Sequence, residues 1–448
     1  MTSYGSYRQL RLAPQRSGVS KALAKDSPLW RLDWILLLAA LALSAGSSLL
    51  VWSATRGRDS LTHGDPQYFL YRHLTNFVVG LVLCSVVIAI GSRRFRTIVP
   101  FLYVGVLLML LATLSPLGST INGAHSWIQL GGGFSIQPAE FAKLAIVLAM
   151  AVVLSDQVDA GEREFPSHRA VFRGLLWAGL PMGIVLLMPD AGSVMVMAAI
   201  VLGILLGSGA ANRWVLGLLV AGTAGCVAIW KFGLLSQYQI DRFAAFANPQ
   251  LDPNGVGYNT AQARIAIGSG GLTGKGLFHG TQTVGQFVPE QQTDFVFTVA
   301  GEELGFVGAL AIIALVGVIL WRACRIARQA TDLYGTIVAA GVIAWLSFQA
   351  FENIGMCLGI MPVAGIPLPF VSYGGSSMFA NWRTVGFLGG VRTRRPRGVG
   401  AGVVGGPAGE FPGRPRRRVR GVPAAGGAAV RRPGSRSGRA RPSARSAG

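Results

Sequence analysis

The stretch VPEQQTDFVFTVAGEELGF, residues 288–306, passes from a polar segment into a run that is apolar enough to enter a bilayer. Only 19 of the 448 residues are Asp or Glu, yet Glu290, Asp294, Glu302 and Glu303 all lie here. Ionisable groups are costly inside a membrane and normally face a cavity or a partner. The stretch therefore predicts a membrane helix whose polar beginning has a functional role.

The whole chain has the composition of a membrane protein with many spans. It is 51% hydrophobic and 13% charged, and its mean hydropathy is +0.48, which excludes an ordinary soluble domain. Windows long enough to cross the hydrocarbon as helices lie near residues 34–52, 69–91, 97–115, 138–155, 171–188, 192–208, 212–230, 295–320, 334–361 and 378–391. The sequence therefore predicts an all-α, polytopic membrane protein of about ten transmembrane helices, in a domain over residues 34–391.

Lys and Arg are distributed unevenly between the short loops, which predicts the orientation of the chain. The loops on one side carry Arg93, Arg94, Arg96, Arg163, Arg169, Arg173, Arg213, Arg322, Arg325 and Arg328. The opposite loops, 116–137, 189–191 and 362–377, contain neither Lys nor Arg. By the positive-inside rule both termini are cytoplasmic, including the segment 1–33, and the long loop 231–294 between helices seven and eight is extracytoplasmic. Its apolar content predicts amphipathic or re-entrant pieces packed on the outer membrane face.

The C-terminal segment 392–448 is rich in Arg, Gly, Pro and Ala and carries most of the net charge of +21. This composition predicts disorder, and because the charge is concentrated there it is not read as a nucleic-acid signal. Arg383 falls inside the last apolar window, which makes the tenth helix doubtful. The segment could be a basic tail on anionic lipid. We favour another hypothesis, a frameshift in a GC-rich gene near the codon for Arg383.

Several polar residues within or beside the spans have both a structural and a functional interpretation. Glu140 and Lys143 are three residues apart, so a helix places them on one face, where they can form an ion pair. Asp190 could cap the helix that follows it. Glu302 and Glu303 point about 100° apart on a helix, so at least one of them must face a polar interior.

The residues around Asp294 leave two interpretations open. Asp294 follows the polar Gln291, Gln292 and Thr293 and precedes a dry helix. A carboxylate half-buried at such an edge can have a raised pKa and act as a general base. A helix N-cap is equally compatible with the sequence.

Two outer loops complete the polar edge. The last one, GIPLPFVSYGGSS over residues 365–377, cannot form a continuous helix, because its two prolines and adjacent glycines interrupt one. Such backbone persists at a membrane rim where it is buried in protein or lines a watery cavity, although a plain turn is the alternative. Trp127 could be an ordinary interfacial tryptophan.

Four longer motifs resemble the SEDS family of bacterial cell-wall polymerases, in the family's order, over about residues 30–382. They are GAHSWIQLGGGFSIQPAEFAKLA, NTAQARIAIGSGGLTGKGL, FVPEQQTDFVFTVAGEELGFVGA and MPVAGIPLPFVSYGGSS. NGAHSWI and GTQTVGQFVPEQQTDF are more similar to the RodA branch, which serves elongation, than to the FtsW branch, which serves division. Met188, where the family commonly has Gln, and Gln291-Gln292, where a His before Thr is common, depart from the pattern.

The resemblance implies a ten-helix, inverting peptidoglycan glycosyltransferase that polymerises lipid II. It places the family's essential aspartate at Asp294 as the general base, and it makes Lys143, Arg242 and Lys275 candidates to stabilise the pyrophosphate leaving group. The other substrate-binding candidates are Glu140, Trp127, Gln262, Ser269, Glu290 and Ser372. A divalent cation could help at the pyrophosphate, but the sequence has no metal-ligand spacing, and its four cysteines predict no zinc site. The implied partner is a class B penicillin-binding protein, a transpeptidase.

Two other classes of function remain open from the sequence. A lipid II flippase or related transporter would also need ionisable groups between its spans. The acids cluster at the outer mouth and no inverted repeat is evident, which favours an enzyme. A scaffold that recruits wall enzymes without chemistry of its own is the third alternative.

Overall fold

The computed structural model describes residues 32–392, apart from 59–61, 63, 122–123, 132–133, 234–239, 241, 243, 245 and 247–254. The predictions for the N-terminal segment before residue 32 and for the tail after residue 392 lie outside the described residues.

Helices dominate the described part of the chain. They are α1 (Trp34–Thr55), α2 (Tyr68–Leu114), α3 (Pro138–Asp159), α4 (His168–Leu187), α5 (Ala191–Gly207), α6 (Asn212–Lys231), α7 (Val256–Ser269), α8 (Thr281–Val284), α9 (Val296–Glu303), α10 (Gly305–Arg328), α11 (Leu333–Leu358) and α12 (Gly375–Arg392). Within the described residues, eight helical segments are long and apolar enough to cross a membrane, and α5 is a shorter apolar helix. The predicted polytopic helical membrane fold is confirmed, and every predicted span coincides with helical structure.

The predicted spans 69–91 and 97–115 both lie in α2, which is kinked at Gly91. Gly91 has φ 74° and ψ 149°, a conformation that is essentially restricted to glycine. The kink separates the two apolar segments Tyr68–Gly91 and Arg94–Leu114.

The prediction of one continuous span over 295–320 is wrong, because the chain breaks between α9 and α10. Gly305 has φ +67°, and a Cβ there would lie 2.2 Å from the backbone nitrogen of Gly274. The backbone N–H groups of Phe306 and Val307 donate to the carbonyls of Gly271 and Leu272, at 2.9 and 3.1 Å. The break therefore docks the extracytoplasmic loop predicted over 231–294 directly onto the membrane helix.

The 116–137 loop folds as a small antiparallel sheet, which an all-α prediction omits. Strands β1 (Gly118–Ile121), β2 (Ala124–Gly131) and β3 (Phe134–Ile136) pair in the order β1-β2-β3. Trp127 is half-buried in β2 opposite Ser119, whose hydroxyl donates to the Trp127 carbonyl at 3.2 Å. These strands are short, so their pattern is weak in a chain dominated by long apolar runs.

The helices α3 and α11 form the centre of the bundle, and small residues allow the neighbouring helices to approach closely. A Cβ at Gly203 of α5 would lie 2.3 Å from the Cβ of Ala344 on α11. By contrast, α6 has no fully buried residue, and it packs against the core through half-buried side chains such as Trp214 and Leu218.

The doubtful tenth helix is present as α12, which packs on the first half of α2. Arg383 is half-buried within it, and its Nε donates to the Phe379 carbonyl at 3.1 Å. Its guanidinium lies 4.4 Å from the centre of the Phe141 ring. The arginine therefore has a protein environment, which removes the reason given for doubting this helix.

Candidate active site

Asp294 lies in a tight turn directly before α9. The Glu290 carbonyl accepts the backbone N–H groups of Thr293, Asp294 and Phe295, at 3.2, 3.1 and 3.2 Å. The helix begins at Val296 with Phe295 as its N-cap and without a side-chain cap. The N-cap interpretation of Asp294 is therefore wrong, and its half-buried carboxylate is available for other interactions.

The environment of the Asp294 carboxylate raises its pKa to about 7. Burial is the largest cause, because it penalises the charged form. The negative charges of Glu290 and Asp190 raise the pKa further, whereas the positive charge of Arg242 lowers it. The pKa therefore lies close to neutral pH, where a general base is most effective.

Gly365, in the loop 365–377, lies next to Asp294 and has no side chain. A Cβ added at Gly365 would lie 3.6 Å from Oδ2 of Asp294 and 3.8 Å from Nη2 of Arg242. The φ of Gly365 is +69°, which favours glycine. The carboxylate and the guanidinium therefore face a common position that the missing side chain leaves free.

Asn353 of α11, which the sequence reasoning missed, fastens this loop to the backbone of the catalytic candidate. It is fully buried, and its Nδ2 donates to the carbonyls of Asp294 and Ile366, at 2.7 and 2.8 Å. One amide thus sets the separation between Asp294 and the loop that carries Gly365. A buried asparagine in an apolar helix was the signal available in the sequence.

Glu290 is held beside Asp294 by short-range polar contacts. It has φ +50°, and its Oε2 accepts from Thr293 Oγ1 at 3.0 Å and from Gln292 Nε2 at 3.3 Å. Arg58 is also buried here, and its Nη2 donates to the Val288 carbonyl at 3.0 Å. Sequence reasoning did not identify Arg58, because it lies after α1, far from this turn in the chain.

Asp190 caps α5, as one interpretation of the sequence predicted. Its Oδ1 accepts from the backbone N–H of Ser193 at 2.9 Å, and its Oδ2 accepts from Ser193 Oγ at 2.8 Å and from Gln137 Nε2 at 3.3 Å. The backbone N–H of Gln137 donates to Ser376 Oγ at 2.9 Å. The starts of α3, α5 and α12 therefore meet around this carboxylate.

The predicted ion pair between Glu140 and Lys143 is present, and both side chains are 1% exposed. Lys143 Nζ donates to Glu140 Oε1 at 2.6 Å and to Gln349 Oε1 at 3.3 Å. Gln349 Nε2 in turn donates to the Pro367 carbonyl at 2.8 Å. The pair is thus linked through α11 to the loop that contains Gly365.

Lys275 and Ser269 contact Glu302 near the end of α9, whereas Asp294 lies before the beginning of this helix. Lys275 Nζ and Ser269 Oγ lie 2.9 and 3.4 Å from Glu302 Oε1. The fully buried Glu302 also accepts from the backbone N–H of Thr283 at 2.9 Å. These contacts fasten the segment that carries Ser269 and Lys275 to α9 and engage the charge of Lys275 there.

The remaining candidates are dispersed over three elements. Gln262 is half-buried on α7, and Trp127 lies in β2. Ser372 is buried, and its Oγ accepts from the backbone N–H of Leu368 at 2.7 Å, which closes the last outer loop. The described residues contain no cluster of three or more His, Cys, Asp or Glu side chains that could hold a metal ion.

The fold and this site define a polytopic helical membrane protein with a half-buried carboxylate that faces an arginine side chain across Gly365. The sequence model of the family described as "Cell cycle protein", FtsW/RodA/SpoVE, matches residues 32–396. The chain belongs to this family. The match runs through Arg383, so the family pattern persists past the codon at which the frameshift was predicted.

Curated relatives carry names from several branches of the family. The chain is 36% identical over 364 residues to the peptidoglycan glycosyltransferase MrdB of Escherichia coli, covering 81% of this chain and 94% of the relative. It is 37% identical over 371 residues to the stage V sporulation protein E of Bacillus subtilis, covering 81% and 96%. It is 34% identical over 370 residues to a probable peptidoglycan glycosyltransferase FtsW of Trichlorobacter lovleyi, covering 82% and 94%. These similar identities do not separate the branches, so the RodA assignment stays a prediction.

Solved structures are similar over the same region. A chain from a peptidoglycan synthase complex that coordinates polymerization and crosslinking has a TM-score of 0.65 and 29% identity, covering 81% of this chain and 97% of that one. The rod shape determining protein RodA of Thermus thermophilus has a TM-score of 0.59 and 29% identity, covering 81% and 96%.

Proposed function

We propose that this chain is a peptidoglycan glycosyltransferase that polymerises lipid II, with Asp294 as its general base. The observation that carries the proposal is the half-buried Asp294 carboxylate, with a pKa raised to about 7, facing the same open position as Arg242 next to Gly365. The names of the relatives support the reaction class.

In the proposed reaction, Asp294 accepts the proton of the acceptor sugar's hydroxyl as that oxygen attacks the anomeric carbon of the donor. A new carbon–oxygen bond forms, and the bond from the anomeric carbon to the lipid pyrophosphate breaks on the opposite face. The configuration is therefore inverted, and the electron pair leaves with the pyrophosphate. A base with a pKa near neutrality is ionised in a substantial fraction of molecules and still strong enough to take this proton.

The pyrophosphate needs positive charge as it departs. Arg242 is the cation that faces the same open position as Asp294. Lys143 is buried against Glu140, and its link through Gln349 to the Pro367 carbonyl supports a role in holding the pocket. We also propose that a divalent cation binds the pyrophosphate of the substrate, without taking part in a step assigned to the protein.

We also propose how the chain lies in the membrane and which partner it binds. The distribution of Lys and Arg supports cytoplasmic termini and an active site on the extracytoplasmic face of the bacterial plasma membrane. The similarity to a chain of a peptidoglycan synthase complex supports a class B penicillin-binding protein as partner. Elongation is the proposed role, from the resemblance to the RodA branch, with division as the alternative.

The test is a polymerisation assay with labelled lipid II, the purified protein and its transpeptidase partner. Wild-type protein should produce glycan chains, and Asp294→Ala should produce none, while Asp156→Asn, an exposed acid that pairs with Arg96 away from this site, should retain activity. Translocation of lipid II across vesicles without polymer would instead identify a transporter, and neither activity would identify a scaffold. Glycan chains made at the wild-type rate by Asp294→Ala would refute the proposed base.

A further inference from the structure

A cavity of about 650 Å³ lies between the beginnings of α4 and α6, at the end of the bundle that carries the arginine-rich loops. It is lined by His168, Arg169, Phe172, Arg173 and Trp214. The two helices start at the same face because α5 returns the chain between them. The site is thus built from two separate spans and is distinct from the surroundings of Asp294.

The lining of the cavity is cationic and contains no carboxylate. Arg213 adjoins it through a contact between its Nη2 and His168 Nε2. None of the ion pairs among the described residues involves Arg169, Arg173 or Arg213. The three charges are therefore not neutralised by a carboxylate within 4 Å in this part of the chain.

His168 cannot accept both of the donors that point at it. Trp214 Nε1 lies 3.0 Å from His168 Nδ1, while Arg213 approaches Nε2. A neutral imidazole accepts through only one ring nitrogen, and a protonated one through neither. At least one N–H group at the cavity therefore lacks an acceptor in His168, and it is available to an anionic oxygen.

The walls of the cavity continue into exposed apolar surfaces on both helices. Phe172 is 55% exposed, Leu176 one turn further along α4 is 58% exposed, and Leu216 on α6 is 64% exposed. A free phosphate ion would use only the cationic end of this site. A phospholipid would place its phosphate among the arginines and its acyl chains along these apolar side chains.

We propose that this cavity binds the phosphate headgroup of an anionic phospholipid, with Arg169, Arg173 and Arg213 contacting the phosphate and Phe172 and Trp214 flanking it. Basic pockets between transmembrane helices at the positively charged side recognise such headgroups. The site is separate from glycosyl transfer and does not depend on the proposed function.

The test measures binding of cardiolipin to the full chain in detergent by native mass spectrometry. The triple variant Arg169→Gln, Arg173→Gln and Arg213→Gln should bind about a hundredfold more weakly, since each arginine near a headgroup contributes about fivefold. The matched control is Arg94→Gln, Arg325→Gln and Arg328→Gln, which removes the same charge from exposed positions on the same side. It should leave binding within about twofold of wild type. Arg173→Gln alone, expected to lose about fivefold, replaces the triple variant if that variant does not fold.

The competing sources of phosphate are separated in the same experiment. Millimolar inorganic phosphate should not displace bound cardiolipin, and zwitterionic phosphatidylcholine should bind much more weakly. Equal weakening in the control variant would overturn the proposal, because the effect would then be one of overall charge. Displacement by inorganic phosphate would also overturn it, in favour of a free-anion site.

Discussion

Replacing Asp294 by Asn should abolish polymerisation and at the same time raise the melting temperature of the protein. In the unfolded chain this carboxyl has its ordinary pKa of 3.8, whereas in the folded chain its pKa is about 7. The native state therefore carries a penalty that is absent below the unfolded pKa, grows between the two values and is complete above the folded pKa. An asparagine has no such penalty.

The size of the effect follows from the two pKa values. Their separation sets an upper limit of about 4 kcal/mol, at about 1.4 kcal/mol for each pH unit. Because the carboxylate is only half-buried, water screens part of this, and we expect about 1–2 kcal/mol. For a chain of 448 residues, with an unfolding entropy of about 2.1 cal/mol/K per residue, the melting temperature should rise by roughly 1–2 °C at about pH 8, and by much less at about pH 4.5.

The assay compares thermal unfolding of wild type and Asp294→Asn at the two pH values, in one detergent. Asp190→Asn is the matched control, because it makes the same chemical change at a carboxylate that accepts three hydrogen bonds, so it should not raise the melting temperature. A gain that is equal at both pH values, or no gain above neutral pH, would refute the raised pKa of Asp294.

Three further predictions concern Glu290, Asn353 and Glu302. Glu290→Gln removes a negative charge that raises the Asp294 pKa, so the acidic limb of the pH–rate profile should move below pH 7, whereas Glu290→Asp should leave it in place. Asn353→Ala breaks two buried hydrogen bonds, so the free energy of unfolding should fall by about 2–4 kcal/mol, and turnover in the polymerisation assay should fall with it. The control Asn381→Ala loses one contact to a side chain and should retain turnover. Glu302→Gln removes the charge that Lys275 contacts, so limited proteolysis within residues 270–283 should become faster, and an unchanged digestion pattern would contradict the fastening role.

The membrane architecture could be predicted from the sequence because long apolar windows have one low-energy outcome in a bilayer. The break at Gly305 could not, since it depends on the backbone of Gly274 arriving from another part of the chain. The sheet around Trp127 could not be predicted either, because short strands carry little periodic signal in the sequence. From the sequence alone, Arg383 is an isolated charge that is costly in a membrane helix. The structure shows that its guanidinium lies against the Phe141 ring, inside the protein.

The candidate site was predictable where its residues are neighbours in the chain. The Glu140–Lys143 pair follows from helical spacing, and the capping role of Asp190 follows from its place before a helix. Asn353 and Arg58 act on the Asp294 turn from 59 and more than 200 positions away, which spacing cannot show.

Asp33 lies immediately before α1 and is buried, yet its cationic contacts come from the far end of the chain. Arg322 of α10 donates to it at 2.6 Å, and Arg392, the last residue of α12, contacts it as well. During synthesis on the ribosome, Asp33 can contact both arginines only after almost the whole bundle has been inserted. A nascent chain interrupted before α12 would therefore keep Asp33 paired with Arg322 alone.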